Sequence, residues 1–388
     1  MNDTKLTGVF CKLMAGIFLL YLLSFYIPPI KPKTVFYLGL MPLGLLWLLW
    51  RPIALGDWLK AFGIFLLPLA AIQLLNIHGM DDIKLWLYMA VFLTCCVMVE
   101  RSTWGAERVY SVFAWCGVLV LCYSTVDWLW IWHQSGQWIR YENLFGRSVD
   151  PINTSVFIAS GLAFLWLTTF EPKLKQHSTL ALFAGLVVLS GLVLLAALVF
   201  QSRTALLGFG LFMVAYIVMR RMWGLGLLAL IAIAVIGYLA GADQILSQRG
   251  LSYRPQIWAD AWHRIIDTCG IWFGCGNDGY GFRAEQYRFT HPHNLPLGIL
   301  YSDGVVGLAL IGIFVVAYVR GGIRLKTPWF LISLIGIGAQ LTNMSWLLTS
   351  PKAYWIYFWV PILLAFIQIQ REKVDRYFAA RQHTGNAA

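Results

Sequence analysis

The sequence predicts an all-α polytopic membrane protein of about twelve transmembrane helices, on three observations. Of 388 residues, 59% are hydrophobic and only 12% are charged, where a soluble domain carries about 25% charged residues, and mean hydropathy is +0.69. Apolar runs about a bilayer long recur from one end of the chain to the other. Lys and Arg punctuate those runs instead of gathering on a soluble face, so the net charge of +11 reads as membrane topology and not as a nucleic-acid surface.

Taken in order, the runs lie at 8–27, 34–50, 58–77, 85–99, 106–132, 152–170, 179–200, 204–219, 223–240, 294–319, 327–348 and 353–370. The first follows Lys5 and Lys12 and ends in Tyr-Ile-Pro-Pro, without the small residues of a signal-peptide cleavage site, and is read as a retained helix. With the N-terminus inside, the clusters Arg51, Arg101/Arg108, Lys173/Lys175, Arg220/Arg221, Arg320/Arg324/Lys326 and Arg371/Lys373/Arg376/Arg381 all fall inside. The positive-inside rule then puts both termini in the cytoplasm. The resulting organisation is nine helices with short loops over 1–240, a long outer loop at 241–293, three helices over 294–370 and a cytoplasmic tail at 371–388.

In the long loop, Ile257, Trp258, Ala261, Trp262, Ile265 and Ile266 recur at helical spacing from Arg254 onward, which predicts an amphipathic helix lying at headgroup level. The segment Gly274-Cys-Gly-Asn-Asp-Gly-Tyr-Gly281 is too rich in glycine for a helix and reads as a tight loop near a ligand or membrane surface. Cys11, Cys95, Cys96, Cys116 and Cys122 lie in or beside apolar runs as packing residues. Cys269 and Cys275 lie in the outer loop, where an oxidising compartment allows a bond that spacing alone does not establish.

The arginines on the outer side, Arg140, Arg147, Arg203, Arg249, Arg254, Arg264, Arg283 and Arg288, have no topological explanation, and an anionic substrate would explain several. Arg203 stands out because Gln201-Ser-Arg-Thr204 is a very short polar break between two apolar runs. The bland reading is a snorkelling helix-end arginine. The alternative is a clamp, because the planar guanidinium binds phosphate oxygens in pairs and stays charged at any working pH. His291-Pro-His293-Asn294 closes the loop at the start of the next helix. A histidine there is a cap, an interfacial residue or a proton acceptor. A metal site is not expected, since His-x-His has no Cys or carboxylate set at ligand spacing beside it. Trp128, Trp130, Trp132 and Trp138 are either an interfacial belt or sugar-stacking faces.

His293-Asn294, followed after nine residues by Gly304-Val-Val-Gly307, resembles the signature of the O-antigen ligases and the related O-antigen polymerases. Arg203-Thr-Ala-Leu-Leu207, the Arg254-to-Trp258 helix with its following glycines, and the Arg147–Asn153 stretch are similar to the same family in order and membrane side. The resemblance covers roughly 140–320; Asp303 stands where relatives often have glutamate, and Asp150-Pro-Ile-Asn153 follows the family pattern only loosely.

What the resemblance implies is an inverting, metal-independent glycosyltransferase of the bacterial inner membrane, needing no cofactor. It would move O-antigen glycan from undecaprenyl pyrophosphate to lipid A–core oligosaccharide on the periplasmic face, in lipopolysaccharide biosynthesis. His293 is the expected base and Arg203 and Arg254 the pyrophosphate clamp; Arg147, Asp278, Tyr280, Arg283, Arg288, His291 and Asn294 are secondary candidates. Its partners are the two lipid-linked glycans and membrane lipids, and no nucleic acid. An O-antigen polymerase is the nearest alternative, then a protein-glycosylating relative, and in another class a lipid-linked oligosaccharide flippase or transporter.

Overall fold

The computed structural model describes residues 3–27, 30–50, 63, 71, 80–239, 241–247, 253–276, 280–285, 287–343 and 347–371. The expected run at 58–77 (Gly63 and Ala71 apart), Arg249, Asp278 and the tail beyond Arg371 lie outside the described residues. The architecture is that of an all-α membrane protein. Its helices are α1 (Asp3–Leu23), α2 (Pro32–Leu49), α3 (Met80–Arg101), α4 (Gly105–Ser135), α5 (Pro151–His177), α6 (Thr179–Val199), α7 (Arg203–Arg220) and α8 (Trp223–Leu239). They continue with α9 (Ala242–Ser247), α10 (Arg254–Arg264), α11 (Leu295–Leu325), α12 (Pro328–Asn343) and α13 (Trp355–Arg371). Two small hairpins, β1 (Asn143–Leu144) with β2 (Arg147–Ser148) and β3 (Phe282–Ala284) with β4 (Tyr287–Phe289), ornament the loops.

Among the described residues, seven helical segments are long and apolar enough to cross a membrane: Pro32–Leu49, Ile83–Arg101, Gly105–Ser135, Pro151–His177, Thr179–Val199, Arg203–Arg220 and Leu295–Leu325. Shorter apolar helices at Thr7–Leu23, Trp223–Val235 and Trp355–Arg371 coincide with three more of the twelve expected runs. The run at 327–348 forms a helix of 16 residues, Pro328–Asn343.

Helix α5 is the centre of the bundle, with 78% of its apolar window buried. Asp150 starts it by accepting the Ile152 and Asn153 N–H groups, and Pro151 occupies the first helical position, where no intrahelical donor is lost. Its far end is held to α7 by an ion pair from the partly exposed Arg220 Nε to the buried Glu171 Oε1 at 2.9 Å. Helices α7 and α12 pack closely, because a Cβ on Gly338 would sit 2.8 Å from the Gly208 Cα. Small residues at both faces allow that backbone approach, the usual way helices associate where no hydrophobic effect separates helix from lipid.

Candidate active site

The last turn of α12 organises one end of the bundle, since three consecutive residues there each hold a different element. Gln340 Nε2 donates to the Tyr357 hydroxyl at 3.0 Å, and that hydroxyl donates to Asn153 Oδ1 at 2.8 Å, tying the starts of α13 and α5. The Leu341 carbonyl accepts from Asn294 Nδ2 at 3.0 Å, tying the start of α11. Thr342 Oγ1 lies 3.2 Å from Thr204 Oγ1, tying the start of α7. Arg203 precedes Thr204 and His293 precedes Asn294, so residues 90 positions apart are seated on the same helical turn.

His293 is half-buried in a left-handed backbone conformation, φ +54°. Such a conformation is uncommon for a residue with a side chain. Asn294 supports it from the next position: its Oδ1 caps α11 by accepting the Leu297 N–H at 2.9 Å while its Nδ2 reaches α12. The His293 ring lies 3.9 Å, centroid to centroid, from that of His291, and Phe289 meets it edge-on at 5.8 Å. Arg254 opens α10 after Tyr253, itself at φ +59°, and its positive charge bears on His293. Burial, the His291 ring and then Arg254 push His293 down to about 3; burial and Lys352 push His291 down to about 4. Both imidazoles are therefore neutral near pH 7.

Helix α10, which runs on through a π-helical turn to Cys269, has the amphipathic character its spacing predicts. Ile257, Ala261 and Ile265 are buried against Tyr280 and Tyr301, while Trp262 and Ile266 remain exposed. Two outer arginines have local duties instead of substrate ones. Arg264 pairs with Asp260 at 2.9 Å and donates to the Gly281 carbonyl, and Arg140 Nε donates to the Phe200 carbonyl at 3.1 Å. Tyr280 is buried, its hydroxyl donating to the Ile257 carbonyl at 3.0 Å and its ring lying under Arg264. Arg283 and Arg288 face each other across β3 and β4, both exposed. Like charges directly opposed on a hairpin are destabilising.

Arg147 is exposed on β2 and lines a cavity of about 230 Å³ together with Ser148, Asp150, Asn153, Pro32 and Ala353. Among the tryptophans, Trp132 and Trp138 stack on each other at 4.6 Å with Trp128 against Trp138, which occupies those faces. Trp130 lines an open groove with Tyr123, Asp127 and His133. Among the described residues no three His, Cys, Asp or Glu side chains gather as a metal-ligand set.

Two features escape a sequence reading. Lys352 acts on His291, although nothing in the Pro351-Lys352 dipeptide marks it beyond its place between two apolar runs. The second is the physical role of Gly304. Helix α11 breaks there, at φ +62° and ψ −164°. The turn closed by the Cys269–Cys275 disulfide docks against the break. Val305 and Val306 N–H groups donate to the Ile271 and Trp272 carbonyls at 2.9 and 3.2 Å, and the Tyr301 and Ser302 carbonyls accept from Cys275 and Gly276 at 2.6 and 3.0 Å. Any Cβ on Gly304 would press into the Trp272 carbonyl. The conformation is itself close to glycine-only. Gly304→Ala is accordingly expected to lower the thermal unfolding temperature and to speed proteolysis of the 270–276 turn. A variant as resistant as the parent would refute the docking role.

Comparison with known proteins finds similarity over the stretch that carries these residues. Residues 185–312 match the family model described as O-antigen ligase, a stretch that includes Arg203, Arg254, His293, Gly304 and Gly307. An O-antigen ligase from Pseudomonas aeruginosa is 26% identical over 318 residues, covering 78% of this chain and 74% of that protein. The resemblance drawn from the arginines and the histidine is thereby borne out: this multi-pass membrane protein matches the O-antigen ligase family model over residues 185–312 and is similar to an O-antigen ligase along most of its length.

Proposed function

We propose that the protein is an inverting glycosyltransferase of the bacterial inner membrane that moves O-antigen glycan from undecaprenyl pyrophosphate to lipid A–core oligosaccharide at its periplasmic face. The observation that carries this reading is that Thr204 and Asn294, the neighbours of Arg203 and His293, both meet the last turn of α12, while the charge of Arg254 bears on a neutral His293. Arg203 and Arg254 take the growing negative charge of the departing pyrophosphate, which replaces the charge neutralisation a metal would otherwise supply. His293 accepts the proton of the attacking acceptor hydroxyl, and displacement from the opposite side inverts the anomeric carbon. A transporter would instead hold its substrate charges near the bilayer midplane between interrupted, repeated helices.

The decisive experiment combines purified protein, undecaprenyl-pyrophosphate-linked glycan and lipid A–core in EDTA. Transfer is expected at the undiminished rate; loss in EDTA with recovery on added Mn²⁺ or Zn²⁺ would end the metal-free mechanism, and elongation of the donor in place of the core would make the protein a polymerase. Orientation has its own test. His263 is exposed on α10, with 75% of its side chain accessible. A cysteine placed there, with Cys269 and Cys275 replaced, is expected to react with an impermeant maleimide in intact spheroplasts. Reaction only after the membrane is broken would reverse the topology. The Cys269–Cys275 bond supports the outward placement, since disulfides persist in oxidising compartments.

A further inference from the structure

Two lysines at the same end of the bundle have no part in the transfer chemistry. Lys33 follows Pro32 at the start of α2, and Lys352 precedes Ala353 in the connection from α12 to α13. Pro32 and Ala353 both line the cavity of about 230 Å³ that Arg147, Ser148 and Asn153 also line. Arg147 lines the hollow, and the exposed Lys33 and Lys352, each one residue from a lining position, flank it. The one carboxylate in the lining, Asp150, is already engaged: Oδ1 accepts the Ile152 and Asn153 N–H groups and Oδ2 accepts Asn153 Nδ2 at 2.7 Å. Partial desolvation first and the Lys33 charge second hold the exposed Lys352 ammonium below its ordinary range, and Lys352 in turn depresses His291. Like charges brought together disfavour one another, and a bound anion reverses that cost. The cavity is smaller than the roughly 300–1,000 Å³ of sites that enclose a drug-sized ligand, so it suits one charged group and not a run of sugars.

We propose that this cavity is a second anion site, separate from the Arg203/Arg254 pair, in which Lys33, Lys352 and Arg147 hold a phosphate ester of the membrane glycolipid that accepts the glycan. The word acceptor rests on the transfer reading above; the phosphate chemistry does not. The donor's pyrophosphate occupies the arginine pair, and an acceptor held by its own phosphate beside His291 has its hydroxyl oriented toward His293. Such orientation supplies rate by removing rotational freedom before the reaction.

The test is binding of lipid A–core to the purified protein by native mass spectrometry, before and after phosphatase treatment of the lipid. The unaltered protein is expected to hold the phosphorylated lipid about tenfold or more tightly than the dephosphorylated one, the worth of a charge-assisted hydrogen bond. Lys33→Gln/Lys352→Gln should erase that difference, Lys33→Arg/Lys352→Arg should keep it, and binding of undecaprenyl pyrophosphate should be unchanged in both. Equal binding of the two lipids by the unaltered protein overturns the site, whatever the variants do. So does loss of the pyrophosphate lipid in the glutamine variant. Displacement of the glycolipid by inorganic phosphate at equal concentration overturns the glycolipid as the source of the phosphate. Phosphate-dependent binding with no transfer by the unaltered protein leaves the site standing and removes the enzymatic reading. Normal transfer with unchanged binding in the glutamine variant does the reverse.

Discussion

Replacing His293 by alanine is expected to lower glycan transfer by about 10²–10⁴-fold while leaving folding and donor binding intact, the usual range for loss of a general base. His291→Ala should be milder, because His291 acts on its neighbour's ring and not on the acceptor proton. A loss much below tenfold for His293→Ala would assign that residue a positioning role, and a fully active, well-folded variant would falsify the mechanism. The acidity of the ring gives a second measurement. The base must be unprotonated, and in the free protein it is pushed down to about 3. The kcat/KM profile should therefore stay flat on its acid side down to about pH 4, since that parameter reports the free enzyme. A bound pyrophosphate opposes the charge of Arg254 and favours the imidazolium, so the acid limb of kcat should lie at higher pH than that of kcat/KM. Coincident limbs would separate His293 from the donor's charge.

Arg254→Ala should remove about 10²–10³ from kcat, as loss of one preorganised donor to a developing anion does, and Arg203→Ala should match it. Lysine should restore little at either position, because a point charge cannot bind two phosphate oxygens in a plane. Arg254 differs from Arg203 in one respect. Its charge is among the causes that depress His293, so Arg254→Ala should also move the acid limb of kcat/KM upward. A parental rate in either alanine variant, expressed at parental levels, would reduce that arginine to a membrane anchor.

The helices, the amphipathic α10 and the order of the site residues were legible in the sequence because each is a local pattern: apolar runs, a helical period, a short polar break. What joins them was not. Gln340, Leu341 and Thr342 look like the end of one more apolar helix, yet they fix the starts of α5, α7, α11 and α13 through contacts spanning up to 204 residues, that from Tyr357 to Asn153 being the longest. No periodicity encodes such pairings. Tyr280 illustrates the same limit in reverse, since a tyrosine in a glycine-rich loop invites a ligand contact while its hydroxyl donates inward to Ile257. Lys33 and Lys352 are inconspicuous in the sequence because a lysine between two apolar runs is ordinary until the fold brings the charge of a second one to bear on it. The apolar residues of α10 divide for a geometric reason: those at 257, 261 and 265 lie along one stripe against Tyr301, and 262 and 266 fall at its edge.

The break in α11 sets a height. Residues 305–325 rise about 32 Å at 1.5 Å per residue, enough to fill a hydrocarbon layer of about 30 Å alone. Ser302 and Asp303 just beyond it are polar, and the docked 270–276 turn is irregular backbone of a kind that does not face lipid. In the proposed orientation the hydrocarbon ends at the break, and residues 295–303, a helical segment about 14 Å long, separate it from His293. That exceeds the roughly 5–8 Å of headgroup on one side of a bilayer. On the proposed function, the bond to be exchanged is then met outside the lipid tails. The nine residues between Asn294 and Gly304 set the distance of His293 from the break, and one added residue would shift the histidine about 1.5 Å along the helix and swing it about 100° around it.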